Sequence, residues 1–383
     1  MLIPLPPLPP SSILLQFNLN LHLSLQTRNY KHLIRELSIR RKKKNMTVHA
    51  NSPAAQDNKL WVKTPLIESH GLSEEAGCRV FLKLDNLQPS GSFKSRGIGN
   101  YMKCRVLDQP PGVSGIHFYA VSGGNAGIAC VHAARVLGYP ATVVVPTTAK
   151  PAIVSKLLNL GATEVLQQGS TILEADEYLR KEILSKGDPR MIYVPPFDHP
   201  DVWDGNATVM KEISSQLPDG GKPDVVICSV GGGGLLNGVM RFLDGRGWSD
   251  VDVVAMETEG ADSLRASLVA GKLVTLKRIT SQAKSLGVAR VSATTLEYAQ
   301  RPQVRSVVLP DSEAARGSLL FAQKERMMVE LTVGVSVAVC CDGRLSQILG
   351  RQVAPSEKVV IIVCGGNDIS VETLALWTEQ YGR

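Results

Sequence analysis

The sequence predicts an α/β protein in which parallel strands are covered by helices, and three observations support this class. From residue 116 onward, short apolar runs alternate with segments whose apolar residues recur at helical spacing. The short runs are rich in β-branched residues and largely apolar, as in parallel strands that are buried on both faces. Two of these runs end in glycine-rich turns that lead directly into a helical segment.

The predicted elements follow one another in a regular order. An apolar run at 80–85 predicts a strand with alternating exposure, and the segment at 95–108 has helical spacing. Further strands are expected at 116–122, 141–146, 162–169, 224–230, 251–258, 304–310 and 358–366. Further helices are expected at 125–138, 150–161 and 171–187.

A chain of 383 residues is long enough for two domains. Prolines and charged turn residues interrupt the alternation at 193–201, and an earlier break lies near 83–89. We therefore predict a small α/β domain at 89–199 and a larger, discontinuous domain made of 46–88 and 200–383.

The first 45 residues differ in composition from the rest. They contain eight Lys or Arg and one Glu, and this difference accounts for the whole formal charge of +7. We expect a disordered extension, either an organellar targeting segment or an over-extended start, in which case translation begins at Met46. The first 27 residues lack arginine, unlike a mitochondrial presequence. We therefore expect a cytoplasmic protein, with a mitochondrial location as the alternative if the segment is a presequence.

The remaining composition argues against several function classes. Positive and negative charges are equal in number after residue 45, so no basic excess would attract nucleic acid. No apolar run reaches the ~18 residues of a membrane span. The seven cysteines and seven histidines lack the spacing of zinc ligands, and the scattered cysteines do not form a disulfide framework. We expect neither nucleic acid nor a membrane as a partner, and a reducing compartment.

Lys94 lies at a strand-to-helix turn within SGSFKSRG. Pro89, Gly91 and Ser92 predict a helix that starts near Ser92 or Phe93, which places Lys94 in its first turn. The positive end of the helix dipole disfavours a cation there by up to ~1 kcal/mol, so the amine loses its proton more easily. An unprotonated lysine amine can form a Schiff base. An isolated lysine is nevertheless more often an unreactive surface residue.

Two glycine-rich turns, at 119–129 and 226–239, join a strand to a helix. Backbone amides at such a helix start can bind an anion, although the same turns can serve close packing alone. The second turn contains four consecutive glycines, each costing of order 0.5 to 1 kcal/mol in chain entropy, which indicates that a ligand approaches the backbone. It lacks the P-loop and dinucleotide motifs, so it favours a single phosphate monoester.

A third glycine turn follows a buried strand in VVIIVCGGNDIS, where the strand ends at Cys364. A cysteine there is usually a small core residue. Taken in order, SGSFKSRG, SGGNAGIA, GGGG and CGGN resemble the motifs of pyridoxal-phosphate enzymes of the tryptophan-synthase-β fold type (fold type II). Within that group they resemble the serine/threonine dehydratase family, in its L-serine dehydratase branch. The resemblance extends from about residue 60 to the C-terminus and implies two parallel-sheet α/β domains with the site between them.

The resemblance implies a role for each matching residue. Lys94 corresponds to the lysine that binds pyridoxal phosphate as a Schiff base, with Phe93 as its packing neighbour, and Cys364 to the thiol beside the pyridine nitrogen. The loop for the substrate carboxylate would comprise Ser122, Gly123, Gly124 and Asn125, of which Asn125 would also reach the cofactor's phenolic oxygen. The phosphate cradle would comprise Gly231, Gly232, Gly233, Gly234 and Leu235.

The resemblance also implies a monovalent cation, K+, near the phosphate loop, within METEGADSL and SLGV. The side chain of Glu257 and backbone carbonyls would hold it, and the residues concerned are Glu257, Ala261, Ser263, Leu286 and Val288. One departure from the family lies in VELTVGVS, where Leu331 and Thr332 replace a proline and small residues. We expect a reshaped floor of the site, which leaves the choice between serine and threonine open.

The implied activity is β-elimination, with L-serine giving pyruvate and ammonia, L-threonine giving 2-oxobutanoate, and Lys94 acting as the base at the α-carbon. Because a neutral thiol cannot hold the pyridine nitrogen protonated, Cys364 favours elimination over racemisation. Alternatives in the same fold are a threonine synthase, a cysteine synthase and a serine racemase. A non-catalytic amino-acid-binding protein is a further alternative, although it would not need Lys94. The resemblance also implies a homodimer that acts in amino-acid catabolism and gluconeogenesis.

Overall fold

The computed structural model describes residues 60–110, 114–218 and 221–382, in which ten strands form two sheets. The expectations for residues 1–45, including a start at Met46, concern a segment outside this described part. Within the described part, no helix is both long and apolar enough to cross a membrane.

The strands in chain order are β1 (Leu66–Glu68), β2 (Arg79–Lys83), β3 (His117–Val121), β4 (Ala141–Val145), β5 (Glu164–Gln167), β6 (Met191–Tyr193), β7 (Val225–Ser229), β8 (Asp252–Thr258), β9 (Val304–Leu309) and β10 (Lys358–Ile362). The larger sheet has six strands in the order β1-β2-β10-β7-β8-β9, and the smaller has four in the order β5-β4-β3-β6. Neighbouring strands are parallel except for β1 and β2.

The α-helices in chain order are α1 (His70–Ala76), α2 (Lys94–Leu107), α3 (Asn125–Leu137), α4 (Pro151–Leu160), α5 (Ile172–Tyr178), α6 (Pro200–Gln216), α7 (Gly234–Arg246), α8 (Ser263–Ala270), α9 (Ala293–Ala299), α10 (Asp311–Glu325), α11 (Leu331–Val337), α12 (Arg344–Leu349) and α13 (Val371–Tyr381). Both α3 and α4 end at a glycine with positive φ, Gly138 (79°) and Gly161 (112°). Such a residue ends a helix without the strain a side chain would add.

The strands of the smaller sheet all come from 117–193, and those of the larger sheet come from 66–83 and 225–362. The main apolar core surrounds the larger sheet, whose inner strands β7, β8 and β10 are almost entirely buried. This burial matches the apolar runs of the sequence, because strands covered on both faces need no polar alternation. The exact domain limits near 88 and 199 stay a prediction.

The predicted alternation of exposure at 80–85 is wrong, because Val80 to Lys83 are all buried. The strand β2 lies inside the larger sheet, paired with β1 on one side and β10 on the other. The buried Lys83 Nζ therefore finds protein partners, donating to Glu212 Oε2 at 2.7 Å and to Gln216 Oε1 at 2.6 Å. The strands β1 and β6 were not predicted, since three residues are too few to show a period.

Candidate active site

The segment that carries Lys94 lies beside the end of β10. The Phe93 N–H donates to the Cys364 carbonyl at 2.9 Å, and Ser92 and Gly365 form an isolated antiparallel bridge. Two motifs that are far apart in the sequence therefore form adjoining loops. The structure thus brings Lys94, Phe93 and Cys364 together.

Lys94 is the first residue of α2 and so lies in the first helical turn, as predicted. Its Nζ donates to the Pro196 carbonyl and lies 5.2 Å from the centre of the Phe93 ring. Desolvation by burial lowers the pKa of Lys94 to about 8. Desolvation is therefore the main cause of the lowered pKa, whereas the sequence pointed to the helix dipole. An amine with this pKa is partly unprotonated near neutral pH, as Schiff-base chemistry requires.

The turn from β3 to α3 contains the four residues of the predicted substrate loop. Asn125 is the first residue of α3, and the Ser122 Oγ accepts a hydrogen bond from the Gly124 N–H at 3.2 Å. A Cβ at Gly123 would approach the Ile153 side chain to 3.0 Å, whereas one at Gly124 would meet nothing nearer than 4.0 Å. The turn therefore opens at Gly124 onto space that a small ligand could enter.

The side chain of Asn125 joins three other segments of the chain. Its Nδ2 donates to Ser285 Oγ and to Glu330 Oε1, both at 3.1 Å, and its Oδ1 accepts from Asn367 Nδ2 at 2.8 Å. Glu330 is 3% exposed, and its burial raises the pKa of its carboxyl group. The sequence analysis gave none of these three partners a role. The only local signal was that each lies in a quoted motif, Ser285 in SLGV, Glu330 in VELTVGVS and Asn367 in CGGN.

The four-glycine turn leads from β7 into α7, which begins at Gly234. Gly233 has a φ of 92°, which a glycine adopts without strain. Among the described residues, no protein group accepts a hydrogen bond from the backbone amides of 231–235. Leu235, the second residue of α7, is buried. A helix start with free amides is a binding site for an anion such as a phosphate.

Close contacts with neighbouring residues also leave no room for a side chain at these glycines. A Cβ at Gly232 would overlap the Phe197 ring, and one at Gly233 would overlap the Thr295 side chain. At Gly234 a Cβ would lie 2.8 Å from the Phe197 carbonyl oxygen. Sequence reasoning missed Phe197 because it lies in the irregular segment at 194–199, where no periodic pattern exists.

Cys364 follows β10 by two residues and is 2% exposed. Burial, and then the negative charge of Glu330, raise the pKa of the Cys364 thiol, while a contact with Ser229 acts in the opposite direction. The thiol is therefore neutral at physiological pH. The site thus contains a neutral sulfur atom next to the segment of the reactive lysine.

The predicted cation ligands lie on two segments that touch each other, since the Thr280 N–H donates to the Gly260 carbonyl at 3.1 Å. The Glu257 carboxylate accepts the N–H groups of Leu264 and Arg265 at the start of α8, each at 2.8 Å. Burial raises the pKa of Glu257 to about 8. In this structure the Glu257 side chain therefore satisfies two backbone N–H groups at the start of α8.

Backbone carbonyls of the other predicted ligands have protein partners as well. The Ser263 carbonyl accepts from Ser267 Oγ at 2.7 Å, and the Leu286 carbonyl accepts from the Val288 N–H at 2.6 Å. Ala261 is buried beside them. Within the described residues, no cluster of three or more His, Cys, Asp and Glu side chains could hold a metal ion. A K+ site built from carbonyls stays a prediction.

Residues 58–365 match a family model described as pyridoxal-phosphate dependent enzyme. The chain belongs to this family. This enzyme is 44% identical over 325 residues to the L-serine dehydratase/L-threonine deaminase of Homo sapiens, and the alignment covers 84% of this chain and 96% of that protein. The sequence resemblance is therefore confirmed.

Solved structures also resemble this pyridoxal-phosphate enzyme. A fungal L-serine ammonia-lyase from Rhizomucor miehei has a TM-score of 0.77 and 37% identity, covering 85% of this chain and all 100% of that chain. The processed form of threonine deaminase isoform 2 from Solanum lycopersicum has a TM-score of 0.73 and 27% identity, covering 84% of each chain. These likenesses confirm the predicted α/β fold class.

The enzyme's own groups fit its cofactor, pyridoxal phosphate. The amides of 231–235 are free to bind a phosphate, and the amine of Lys94 has the low pKa needed to react with an aldehyde. Both features are properties of the protein alone. They match the two ends of the cofactor, its phosphate and its aldehyde.

A cavity of about 220 Å³ adjoins the site of this enzyme. Ser285 and Glu330, the partners of Asn125, line it together with Leu331 and Thr332. The two residues that depart from the family pattern therefore form part of a cavity wall next to the Asn125 contacts. Thr332 is also tied to the strand end of β7, because its carbonyl accepts from the Ser229 hydroxyl.

Proposed function

We propose that this lyase deaminates L-serine to pyruvate and ammonia by β-elimination, and L-threonine to 2-oxobutanoate in the same way. The observation that carries the proposal is the place of the Lys94 amine, whose pKa desolvation lowers, beside the thiol of Cys364, which burial keeps neutral. The relative from Homo sapiens, named L-serine dehydratase/L-threonine deaminase, supports the same activity.

Elimination removes the α-proton and the β-hydroxyl of the amino acid, and the released enamine takes up water to give ammonia and the 2-oxo acid. When bound, pyridoxal phosphate supplies an electron sink for the electron pair left at the α-carbon. Lys94 would hold the cofactor through its amine. In its unprotonated form the same amine would accept the α-proton of the substrate.

The remaining site residues would bind and orient the cofactor and the substrate. The free amides of 231–235 would hold the phosphate end at the start of α7. The turn at 122–125 binds the substrate carboxylate, with Gly124 bordering the open space. The neutral thiol of Cys364 does not provide the anion that would keep a ring nitrogen protonated, and this favours elimination over racemisation.

The proposal is tested by measuring the release of 2-oxo acid from L-serine and L-threonine, with purified protein and added pyridoxal phosphate. We expect pyruvate from the first and 2-oxobutanoate from the second, and no product from a Lys94→Ala variant. Formation of D-serine, of cysteine in the presence of sulfide, or of threonine from phosphohomoserine would instead identify a racemase, a cysteine synthase or a threonine synthase. Binding of serine without turnover would identify a non-catalytic binding protein.

We also propose, from the family resemblance alone, that the enzyme acts as a cytoplasmic homodimer in amino-acid catabolism and gluconeogenesis, and that K+ binds near Glu257. Sedimentation of the purified protein tests the dimer.

Replacement of K+ by Li+ in the assay tests the cation. A K+ site at Glu257 predicts lower turnover in Li+, and equal turnover in both salts contradicts it.

A further inference from the structure

Asn125 is held in one orientation by partners from three separate segments. An amide nitrogen has two hydrogens to donate, and the structure directs them to Ser285 Oγ and Glu330 Oε1. The amide oxygen accepts from Asn367 Nδ2. An acceptor atom that approaches Asn125 can therefore engage it only by replacing one of the two existing acceptors.

Glu330 is itself fixed by the surrounding backbone. It precedes α11 as its N-cap residue, and its second carboxylate oxygen accepts from the Asp368 N–H at 3.3 Å. A Cβ at Gly365 would lie 2.9 Å from Glu330 Oε1 and 3.3 Å from Asn125 Nδ2, so the backbone of Gly365 closes over this pair. The carboxylate therefore has little freedom to turn away from Asn125.

The carboxylate of Glu330 is held by neutral donors. Among the described residues, none forms an ion pair with it, and the nearby Lys284 pairs with Asp368 at 3.4 Å instead. A buried carboxylate without a cation is costly unless hydrogen bonds satisfy it. The Asn125 amide is one of the few groups that supply such a bond, which couples the two residues energetically.

We propose that Glu330 is a positioning residue, which holds the amide of Asn125 so that its N–H edge and its oxygen keep fixed directions in the site. The inference rests on the proposed function, because that function makes Asn125 a contact of cofactor and substrate. The two acceptors of Asn125 differ in freedom, since the Glu330 carboxyl group is also held by the Asp368 N–H, whereas a serine hydroxyl can rotate. An incoming acceptor therefore displaces the Ser285 hydroxyl, while Glu330 keeps the amide in place.

The Glu330→Gln variant tests the proposal, because it preserves size but places a neutral amide opposite the Asn125 amide. We expect kcat/KM for L-serine to fall about 10- to 100-fold, the range that a small misplacement of a site group costs. The affinity for pyridoxal phosphate should also fall and the absorbance maximum of the bound cofactor should shift. Ser285→Ala should cost less, and Glu297→Gln, a change to an exposed carboxylate on α9, should cost nothing.

A double-mutant cycle separates positioning from a general structural role. If Glu330 acts through Asn125, Glu330→Gln should have almost no further effect on cofactor affinity or spectrum in an Asn125→Ala background. Equal losses in both backgrounds would overturn the proposal. Should Glu330→Gln not fold, Glu330→Asp, which withdraws the carboxylate but keeps the charge, takes its place in the same cycle. Cofactor affinity and spectrum do not depend on serine turnover, so failure of the proposed function would leave this test intact.

Discussion

Lys94 derives its reactivity from the place of its amine at the start of α2. The Pro196 carbonyl holds the amine, the Phe93 ring lies next to it, and burial lowers its pKa to about 8. An exposed lysine keeps an ordinary pKa and is almost fully protonated at neutral pH. Lys94 combines a desolvated amine with a position next to the thiol of Cys364.

Lys94→Ala should abolish both turnover and the yellow absorbance of the Schiff base, because it removes the amine that forms the Schiff base. The measurements are the visible spectrum and the 2-oxo-acid assay on the purified variant. Lys272→Ala, on an exposed lysine after α8, is the matched control and should keep both. A Lys94→Ala variant with full activity would contradict the assignment of the site.

The rate at which pyridoxal phosphate combines with cofactor-free enzyme should rise with pH and level off above about 8. The unprotonated amine of Lys94 is the reactive form, and its pKa is lowered to about 8, so its fraction grows until that pH is passed. Stopped mixing of cofactor and cofactor-free enzyme at several pH values gives the rates. A rise that continues to the ordinary lysine pKa near 10.5 would show that burial does not lower the pKa in solution.

At the scale of elements, the four-glycine turn has two roles, in anion binding and in close packing. Its amides are free for an anion, while Gly232 and Gly233 also lie too close to Phe197 and Thr295 to carry a side chain. The turn therefore depends for its shape on the irregular segment at 194–199, between β6 and α6. That segment also supplies Pro196, whose carbonyl accepts from Lys94.

Gly232→Ala should lower the affinity for pyridoxal phosphate and also the melting temperature of the cofactor-free protein, because its Cβ points at the Phe197 ring. Adding Phe197→Ala gives the Cβ room. The melting temperature of the double variant should therefore be higher than the value expected from adding the losses of the two single variants. Fluorescence titration and thermal unfolding measure the two effects. An additive loss of melting temperature in the double variant would contradict the predicted clash.

The sequence allowed prediction of the features that depend on local pattern. Lys94 at a helix start, Asn125 at the next one and the glycine turn before α7 all follow from residues a few positions apart. The partners of Asn125 do not, since Ser285, Glu330 and Asn367 are 160, 205 and 242 residues away in the chain. Such contacts depend on how the sheets and loops assemble, which no local period encodes.

At the scale of the whole molecule, a buried network of charges ties β2 to α2 and α6. The Arg96 guanidinium, which is fully buried, binds both oxygens of Asp85 at 2.7 and 2.8 Å and both oxygens of Glu212 at 2.7 and 2.8 Å. Lys83 adds a second cation on Glu212. Arg96 is two residues after Lys94, so the pair with Asp85 joins the two ends of the loop that presents the reactive lysine.

Glu212→Gln should therefore lower the free energy of unfolding by about 3 to 5 kcal/mol, the usual cost of leaving buried charges without their partner. Two cations, Arg96 and Lys83, lose their shared anion in this variant, and neither can reach water because both side chains are fully buried. Glu177→Gln is the matched control, since it removes one side of the exposed pair with Lys181, worth about 0 to 1 kcal/mol. Denaturant unfolding of both variants measures the difference. If Glu212→Gln unfolds no more easily than Glu177→Gln, the network is not what joins these three elements.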